Sequence, residues 1–278
     1  MANRRVCSRC SGDNRARAAC LASRGLPDFS RFVSLGTMVA QRLIIAGPSA
    51  NAGKTALACA VVAAAPGSQA LKITRFHRES HCPVHGVDEQ GDDNCDGCDP
   101  VPAGYELVSD ETILRTPGKD TDRLAIAGAK PVLWLRAAPH VFRYALAAAM
   151  QAFDPERPLV IEGNSAATLP DFHGKVVLVW PQRTRGVKAS VLPALKRTDV
   201  LVLVEHEDAP LRRIPNTLRS ALARAGLPQS ALPEARWLPA DWWQEGSGES
   251  GTAGARLAVE LAAEMGWVKS PWGQTQKM

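Results

Sequence analysis

Short apolar runs alternate along this chain with longer stretches that mix alanine and leucine with polar residues. The short runs predict strands at 41–47, 70–76, 105–110, 131–137, 158–164, 175–180 and 199–205. The longer stretches predict helices near 54–65, 120–129, 140–153, 188–197, 214–225 and 251–265. Because most of these strands are apolar throughout, both of their faces are expected to be covered. The pattern therefore predicts an α/β fold, a mostly parallel sheet with helices on both faces.

The bulk composition is that of an ordinary globular protein, with 45% hydrophobic and 22% charged residues. No change in composition marks a linker inside residues 38–270, so this range is predicted to be a single domain. The longest apolar runs are far shorter than a membrane span, and no membrane partner is expected. Seven cysteines without an export signal favour a reducing, cytoplasmic location.

The net charge of +5 belongs entirely to the first 37 residues, which hold seven arginines and two aspartates. The rest of the chain is neutral, so the charge gives no general support for a nucleic-acid partner. Residues 1–37 show no sustained helical or strand period and lack the long apolar core of a secretory signal. We expect them to be a disordered basic tail, with Met38 as a second candidate start.

The stretch RLIIAGPSANAGKTALA (42–58) combines a strand, a loop of small residues, Gly-Lys-Thr and a helix. Small residues let backbone N–H groups approach phosphate oxygens, and the helix N-terminus favours an anion. Lys54 is expected to reach the β- and γ-phosphates, and the Thr55 hydroxyl is expected to bind Mg²⁺. The usual spacing G-x-x-x-x-G-K is not met, because Pro48 stands where it requires glycine and Gly47 comes one residue earlier. The predicted nucleotide-binding set is Gly47, Ser49, Ala50, Asn51, Ala52, Gly53, Lys54, Thr55 and Ala56.

Three segments between about residues 40 and 165 resemble known P-loop families. IIAGPSANAGKT resembles the phosphate loop of dethiobiotin synthetases and of cobyrinic or cobyric acid amide synthases, which share the displaced first glycine and belong to the SIMIBI class. TPGKDTDRLAIAGAKPVLWL (116–135) is similar to a segment of molybdopterin-guanine dinucleotide biosynthesis accessory proteins, which also have a lysine and a histidine where Lys72 and His77 fall. LVIEG (159–163) resembles a strand end of both relatives. The resemblance implies a P-loop NTPase fold and a nucleotide, ATP or GTP, bound with Mg²⁺.

Three charged residues are candidates for roles beside the phosphate loop, and for Glu162 the same resemblance implies the role. Glu162, at the end of a predicted strand, would be a direct or second-sphere Mg²⁺ ligand, at the edge of the sheet where α/β proteins bind ligands. Asp120 would complete the metal shell or contact a substrate, although it could equally cap the following helix. Lys72, expected at the end of the second strand, could neutralise charge that develops during phosphoryl transfer. Lys54, Lys72, Asp120 and Glu162 are therefore the candidate catalytic residues.

The predicted insertion at 77–104 contains HCPVHGVDEQGDDNCDGC (81–98). Its two close pairs, Cys82 with His85 and Cys95 with Cys98, have a spacing suited to tetrahedral Zn²⁺. Three thiolates make an iron–sulfur cluster a second candidate, with His85 or another residue as the fourth ligand. The alternatives are transient metal transfer and an acidic loop with free thiols.

Three functions are consistent with these patterns. The first is an NTPase that acts in cofactor or metal-centre assembly and works with a cofactor-biosynthesis protein, as the accessory-protein resemblance implies. The second is an ATP-dependent ligase that activates a small-molecule carboxylate, as the synthetase resemblance implies. The third is a scaffold that binds nucleotide without turnover. Relatives of the SIMIBI class often dimerise across the nucleotide face, so a homodimer is expected.

Overall fold

The computed structural model describes residues 42–75, 104–184, 186–207, 212–242 and 249–269. These residues form one sheet of eight strands in the order β3-β4-β2-β5-β1-β6-β7-β8. Every neighbouring pair is parallel except β3 with β4 at one edge. The strands are β1 Arg42–Ala46, β2 Gln69–Arg75, β3 Tyr105–Val108, β4 Val132–Ala137, β5 Leu159–Glu162, β6 Lys175–Pro181, β7 Val200–Val204 and β8 Ala235–Leu238. The predicted α/β fold with a mostly parallel sheet is confirmed.

Helices connect the strands, and short 3-10 turns lie between several of them. The α-helices of the described residues are α1 Lys54–Ala64, α2 Glu111–Leu114, α3 Asp120–Ile126, α4 Phe142–Met150, α5 Val191–Leu195, α6 Asn216–Ala225 and α7 Glu249–Glu264. The 3-10 turns are Pro139–Val141, Asn164–Thr168 and Gln229–Ala231.

Helices cover both faces of the sheet, as the apolar strands predict. Alternate residues of each central strand point to opposite faces. In β1, Ile44 packs with buried residues of α4, α5 and α6, whereas Leu43 and Ile45 pack with buried residues of α1 and α7. All three are fully buried. Because the side chains on both faces of this strand are buried, no position in its centre faces solvent, which explains why its sequence is apolar there.

Two elements depart from the sequence prediction. Strand β8 lies where no strand was predicted, because three of its four residues are only half-buried and Arg236 interrupts the apolar run. Helix α2 was also missed, since a single turn leaves no periodic pattern in the sequence. Asp110 caps it by accepting a hydrogen bond from the Thr112 N–H at 2.9 Å.

The predicted position of Lys72 at the end of the second strand is wrong. Lys72 lies within β2, because this strand continues to Arg75.

The register of the central strands determines where the loops meet. Ile45 of β1 pairs with Glu162 of β5, and Lys72 of β2 pairs with Glu162 from the other side. Because these strands are parallel, the loops that follow β1, β5 and β6 leave the same edge of the sheet. This edge is where open α/β sheets form their binding crevices.

Two predicted segments lie outside the described residues, namely the tail at 1–37 and nearly all of the insertion at 77–104. In the part of the chain that the structure describes, no helix combines the length and the apolar character needed to cross a membrane.

Candidate functional site

A loop between β1 and α1 forms the first wall of the candidate site. The strand ends at Ala46, and α1 begins at Lys54. Asn51 and Gly53 have φ angles of 58° and 89°, so both adopt the left-handed conformation that turns the chain into the helix. The first turn of α1 leaves backbone N–H groups without helical partners, and these groups attract an anion. The strand, loop and helix together have the arrangement of a P-loop.

Gly47 explains why the first glycine of this loop comes one residue early. A Cβ atom at this position would lie 3.0 Å from the Val179 carbonyl oxygen, 3.1 Å from Lys54 Cγ and 3.2 Å from Ala52 Cβ. The neighbouring strand β6 and the loop itself therefore leave little room for a side chain, and the nearest atom is a backbone oxygen of the sheet, which favours glycine at 47.

Asn164 holds the start of the loop through both of its amide atoms. Its Oδ1 accepts a hydrogen bond from the Gly47 N–H at 2.9 Å, and its Nδ2 donates to the Gly47 carbonyl at 3.0 Å. Asn164 is buried, and Nδ2 also donates to Ser190 Oγ at 3.1 Å. Sequence reasoning missed this residue, although a polar side chain directly after the Glu162-Gly163 strand end was a usable signal.

Four side chains from different elements converge beside the loop. We call Thr55, Lys72, Asp120 and Glu162 the carboxyl-edge cluster. Thr55 Oγ1 lies 3.0 Å from Asp120 Oδ1 and 2.9 Å from Glu162 Oε1. Lys72 Nζ donates to Glu162 Oε1 at 2.7 Å and also contacts Asp120 Oδ2. The Thr55 hydroxyl has only one proton to donate, so it can donate to one of these two carboxylates at a time, and the Lys72 ammonium lowers the repulsion between them.

Burial makes the Glu162 carboxylate the centre of this cluster. Its side chain is 1% exposed, compared with 17% for Lys72 and 39% for Asp120. Among the described residues, Glu162 Oε2 is buried without a hydrogen-bond partner. A buried carboxylate oxygen without a partner costs free energy unless a cation or donor reaches it.

The donor set fits Mg²⁺. This ion prefers oxygen ligands, usually one or two carboxylates together with substrate phosphates and water. Thr55, Asp120 and Glu162 present a hydroxyl and two carboxylates next to the P-loop, and Glu162 Oε2 is an unused oxygen in this group. These three residues are the ones that would hold the ion.

The two lysines of the site differ in their electrostatics. Burial lowers the pKa of Lys54 to about 8; the Glu162 charge opposes this shift, whereas the charges of Lys72 and Lys188 add to it. Burial also acts to lower the pKa of Lys72, but the Glu162 and Asp120 carboxylates outweigh it and raise the pKa above its ordinary value. Lys54 Nζ donates to the Ser49 carbonyl at 2.6 Å, so its side chain crosses the loop. Lys72 is therefore held firmly as an ammonium between two carboxylates.

The structure brings the sequence-predicted residues of the P-loop and the carboxylates together. Lys54, Thr55, Asp120 and Glu162 lie at one edge of the sheet, with Lys72 between the carboxylates. Asp120 is the first residue of α3, while Lys119 is its N-cap residue, so the Asp120 carboxylate faces Thr55 and Lys72 and does not cap the helix. The predicted metal ligands Cys82, His85, Cys95 and Cys98, and also His77, lie outside the described residues.

Trp242 supports the P-loop from the far end of the chain. It is 3% exposed, and a Cβ atom at Gly53 would lie 3.4 Å from its ring. On its other side a Cβ atom at Gly254 of α7 would lie 2.5 Å from the ring, so the helix needs glycine at that position. No sequence pattern predicts this contact, because it joins segments that are distant along the chain.

Comparison with known proteins adds only a weak structural likeness. No family model matches this chain, and no curated protein matches it. The fold is similar to that in the crystal structure of an LAO/AO transport system kinase, with 11% identity and a TM-score of 0.37. The alignment covers 90% of this chain and 72% of that chain. A likeness at this TM-score carries no argument about activity, so a function has to rest on the residues of the site.

Proposed function

We propose that this chain is a Mg²⁺-dependent nucleoside triphosphatase that acts in cofactor or metal-centre assembly. One observation carries the proposal, the convergence of Thr55, Lys72, Asp120 and Glu162 beside a P-loop that carries Lys54. A phosphate-binding loop alone would support only anion binding. Two carboxylates and a hydroxyl next to it add a place for the metal ion that accompanies a nucleoside triphosphate.

In the proposed phosphoryl transfer, different residues bind the phosphates, stabilise the developing charge and hold the metal ion. Backbone N–H groups of the loop and the first turn of α1 would bind the β- and γ-phosphate oxygens. Lys54 Nζ would leave the Ser49 carbonyl for these oxygens, since a charged acceptor forms the stronger hydrogen bond. Lys72 would stabilise the negative charge that develops on the transferred phosphoryl group. Mg²⁺, when bound by Thr55, Asp120 and Glu162, would supply further neutralisation of phosphate charge.

The segment at 116–135 supports a role in cofactor assembly. This is the segment that resembles molybdopterin-guanine dinucleotide accessory proteins, and it contains Asp120. Its helix α3 begins at Asp120, which contacts Thr55 and Lys72. The segment thus joins the nucleotide site directly, where the presence or absence of a γ-phosphate could change its position.

The test is nucleotide binding and hydrolysis by the full 278-residue chain. Binding of Mg²⁺ with ATP, and of Mg²⁺ with GTP, would be measured by calorimetry, and phosphate release would be followed separately. Lys54→Ala should remove detectable binding, because it removes the cation of the loop. Lys196→Ala is the matched control, since Lys196 is an exposed lysine after α5, at the end of that helix away from the P-loop.

Each rival function has its own outcome in this test. Slow hydrolysis without any added substrate, lost in Lys54→Ala, supports the proposal. Phosphate release that appears only with a small-molecule carboxylate would support a ligase of the dethiobiotin synthetase type. Tight binding without turnover would support a scaffold. Absence of binding to either nucleotide would overturn all three.

Two further features stay predictions. The set of Cys82, His85, Cys95 and Cys98 is proposed to bind Zn²⁺ or an iron–sulfur cluster. Elemental analysis of anaerobically purified protein, beside a Cys95→Ser/Cys98→Ser form, would test this site. A homodimer would be tested by light scattering with and without nucleotide, and a monomer in both states would remove it.

A further inference from the structure

A second loop touches the P-loop from the side of β6. This segment, Lys188 to Ser190, precedes α5. The Lys188 N–H donates to the Pro48 carbonyl at 2.8 Å. Ser190 Oγ accepts from Asn164 Nδ2 at 3.1 Å, and Asn164 in turn holds both backbone groups of Gly47. The segment is therefore fixed against the start of the P-loop at two points.

Asn164 is the part of this arrangement that makes it rigid. It is buried, and its amide is shared between the P-loop and the Lys188–Ser190 segment. Buried amides with all partners in place hold their neighbours in one geometry, because any shift leaves a polar group without a partner. A side chain that leaves the backbone at Lys188 consequently begins from a fixed position next to Pro48.

The Lys188 side chain brings an additional positive charge to this site. The residue is exposed, and among the described residues no carboxylate forms an ion pair with its ammonium. Its charge acts on Lys54, where it disfavours the protonated form. The two ammonium groups repel each other, and an anion bound by both would lower this repulsion.

We propose that Lys188 is a further phosphate-binding residue, which the Lys188–Ser190 segment presents to the nucleotide from outside the P-loop. Lys54 would contact the phosphates from the helix side, and Lys188 from the side of β6. This inference rests on the proposed function, since it requires a nucleotide in the P-loop. It adds a cation that the P-loop pattern does not contain, and it assigns Asn164 as a positioning residue for both loops.

The test compares the charge of Lys188, which lies before α5, with the charge of Lys196, which lies directly after α5. Affinities of full-length wild type, Lys188→Gln, Lys188→Arg and Lys196→Gln would be measured with Mg²⁺-ATP and Mg²⁺-GTP by calorimetry at several salt concentrations. Lys196→Gln makes the same change in net charge at the far end of α5. All variants are expected to fold, because both lysines are exposed.

Loss of one charge-assisted contact should weaken binding about tenfold in Lys188→Gln. Lys188→Arg and Lys196→Gln should bind as wild type does, and the salt dependence of Lys188→Gln should be shallower. Equal affinities of Lys188→Gln and Lys196→Gln would overturn the inference while leaving the proposed function intact. Equal losses in Lys188→Gln and Lys188→Arg would overturn it too, since charge would then be irrelevant. Absence of nucleotide binding by wild type would overturn the proposed function and this inference together.

Discussion

Two clusters of basic residues and carboxylates lie at opposite ends of the parallel strands, one at their carboxyl ends and the other at their amino ends. The carboxyl-edge cluster is built on Lys72, Asp120 and Glu162. What we call the amino-edge cluster consists of Lys175 at the start of β6, Arg236 in β8 and Glu264 at the end of α7. Both contain a group held between two partners of opposite charge, so a count of ion pairs would treat them alike.

Burial and the number of partners separate the two clusters. Glu264 is 33% exposed, and each of its carboxylate oxygens has a cationic partner, Lys175 for one and Arg236 for the other. Glu162 is 1% exposed, and its Oε2 has no hydrogen-bond partner among the described residues. In the amino-edge cluster both carboxylate oxygens are paired with cations and water screens the charges, and the atom left without a hydrogen-bond partner among the described residues is a donor, Arg236 Nη1. In the carboxyl-edge cluster a buried acceptor, Glu162 Oε2, receives no hydrogen bond from the described residues. A buried acceptor without a partner is typical of a site that binds a cation.

The largest expected difference is in catalysis. Glu162→Gln removes the carboxylate charge from the proposed metal site and should lower nucleotide hydrolysis at least about 100-fold. Glu264→Gln makes the same chemical change at the amino edge and should leave hydrolysis at the wild-type rate. Single-turnover phosphate release, with circular dichroism as a check on folding, measures both. Similar rates for the two variants would remove the distinction between the clusters.

The next difference is in stability. Lys72→Met leaves Glu162 buried without its main partner and should destabilise the protein by about 3 kcal/mol, as expected when one partner of a buried pair is removed. Lys175→Met should cost below about 1 kcal/mol, because its pair is exposed. Urea unfolding provides the two values, and added Mg²⁺ should restore part of the stability of Lys72→Met only. Equal costs would show that burial is not what distinguishes the clusters.

The parts of this molecule that the sequence predicts are those with local causes. Strand β1 is apolar because both of its faces are buried, and the loop after it is rich in small residues because a backbone must approach closely there, as Gly47 shows. Glu162 and Asp120 were predicted through resemblance to families whose strand ends and loops have the same residues. Their convergence on Thr55 depends on the order and register of the strands, for which a single sequence gives only an expectation.

The parts that escaped the sequence have causes distant along the chain. Asn164 binds Gly47, Trp242 packs near Gly53, and Lys188 donates to Pro48, yet none of these residues belongs to a recognisable motif. Each gains its role from a partner that only the folded sheet brings near. Strand β8 was missed for a related reason: at an edge of the sheet, half-buried positions accept polar residues and so erase the apolar run.

The smallest expected difference concerns acid and salt. Burial acts to raise the pKa of Glu264, but hydrogen bonds from Lys175 and Arg236 outweigh it, so the folded-state pKa is lowered from its ordinary value of 4.5. A lowered carboxylate pKa stabilises the folded state above the unfolded pKa, and this stabilisation is lost as the pH falls through the folded pKa. Wild type should therefore be more stable than Glu264→Gln near neutral pH by a few tenths of a kcal/mol up to about 1.

This advantage should decrease as the pH falls below 4.5 and vanish once the pH is below the lowered folded-state pKa. It should also vanish at neutral pH in about 1 M salt, since exposed charges are screened there. The cost of Lys72→Met should survive the same salt, because the Lys72–Glu162 pair is shielded from solvent ions. Urea unfolding of wild type, Glu264→Gln and Lys72→Met at low and high salt measures both effects. If high salt abolished the loss of stability in Lys72→Met as fully as in Glu264→Gln, the Lys72–Glu162 pair would be no better shielded than a surface ion pair. Burial would then give no reason to expect Glu162 to be a cation ligand.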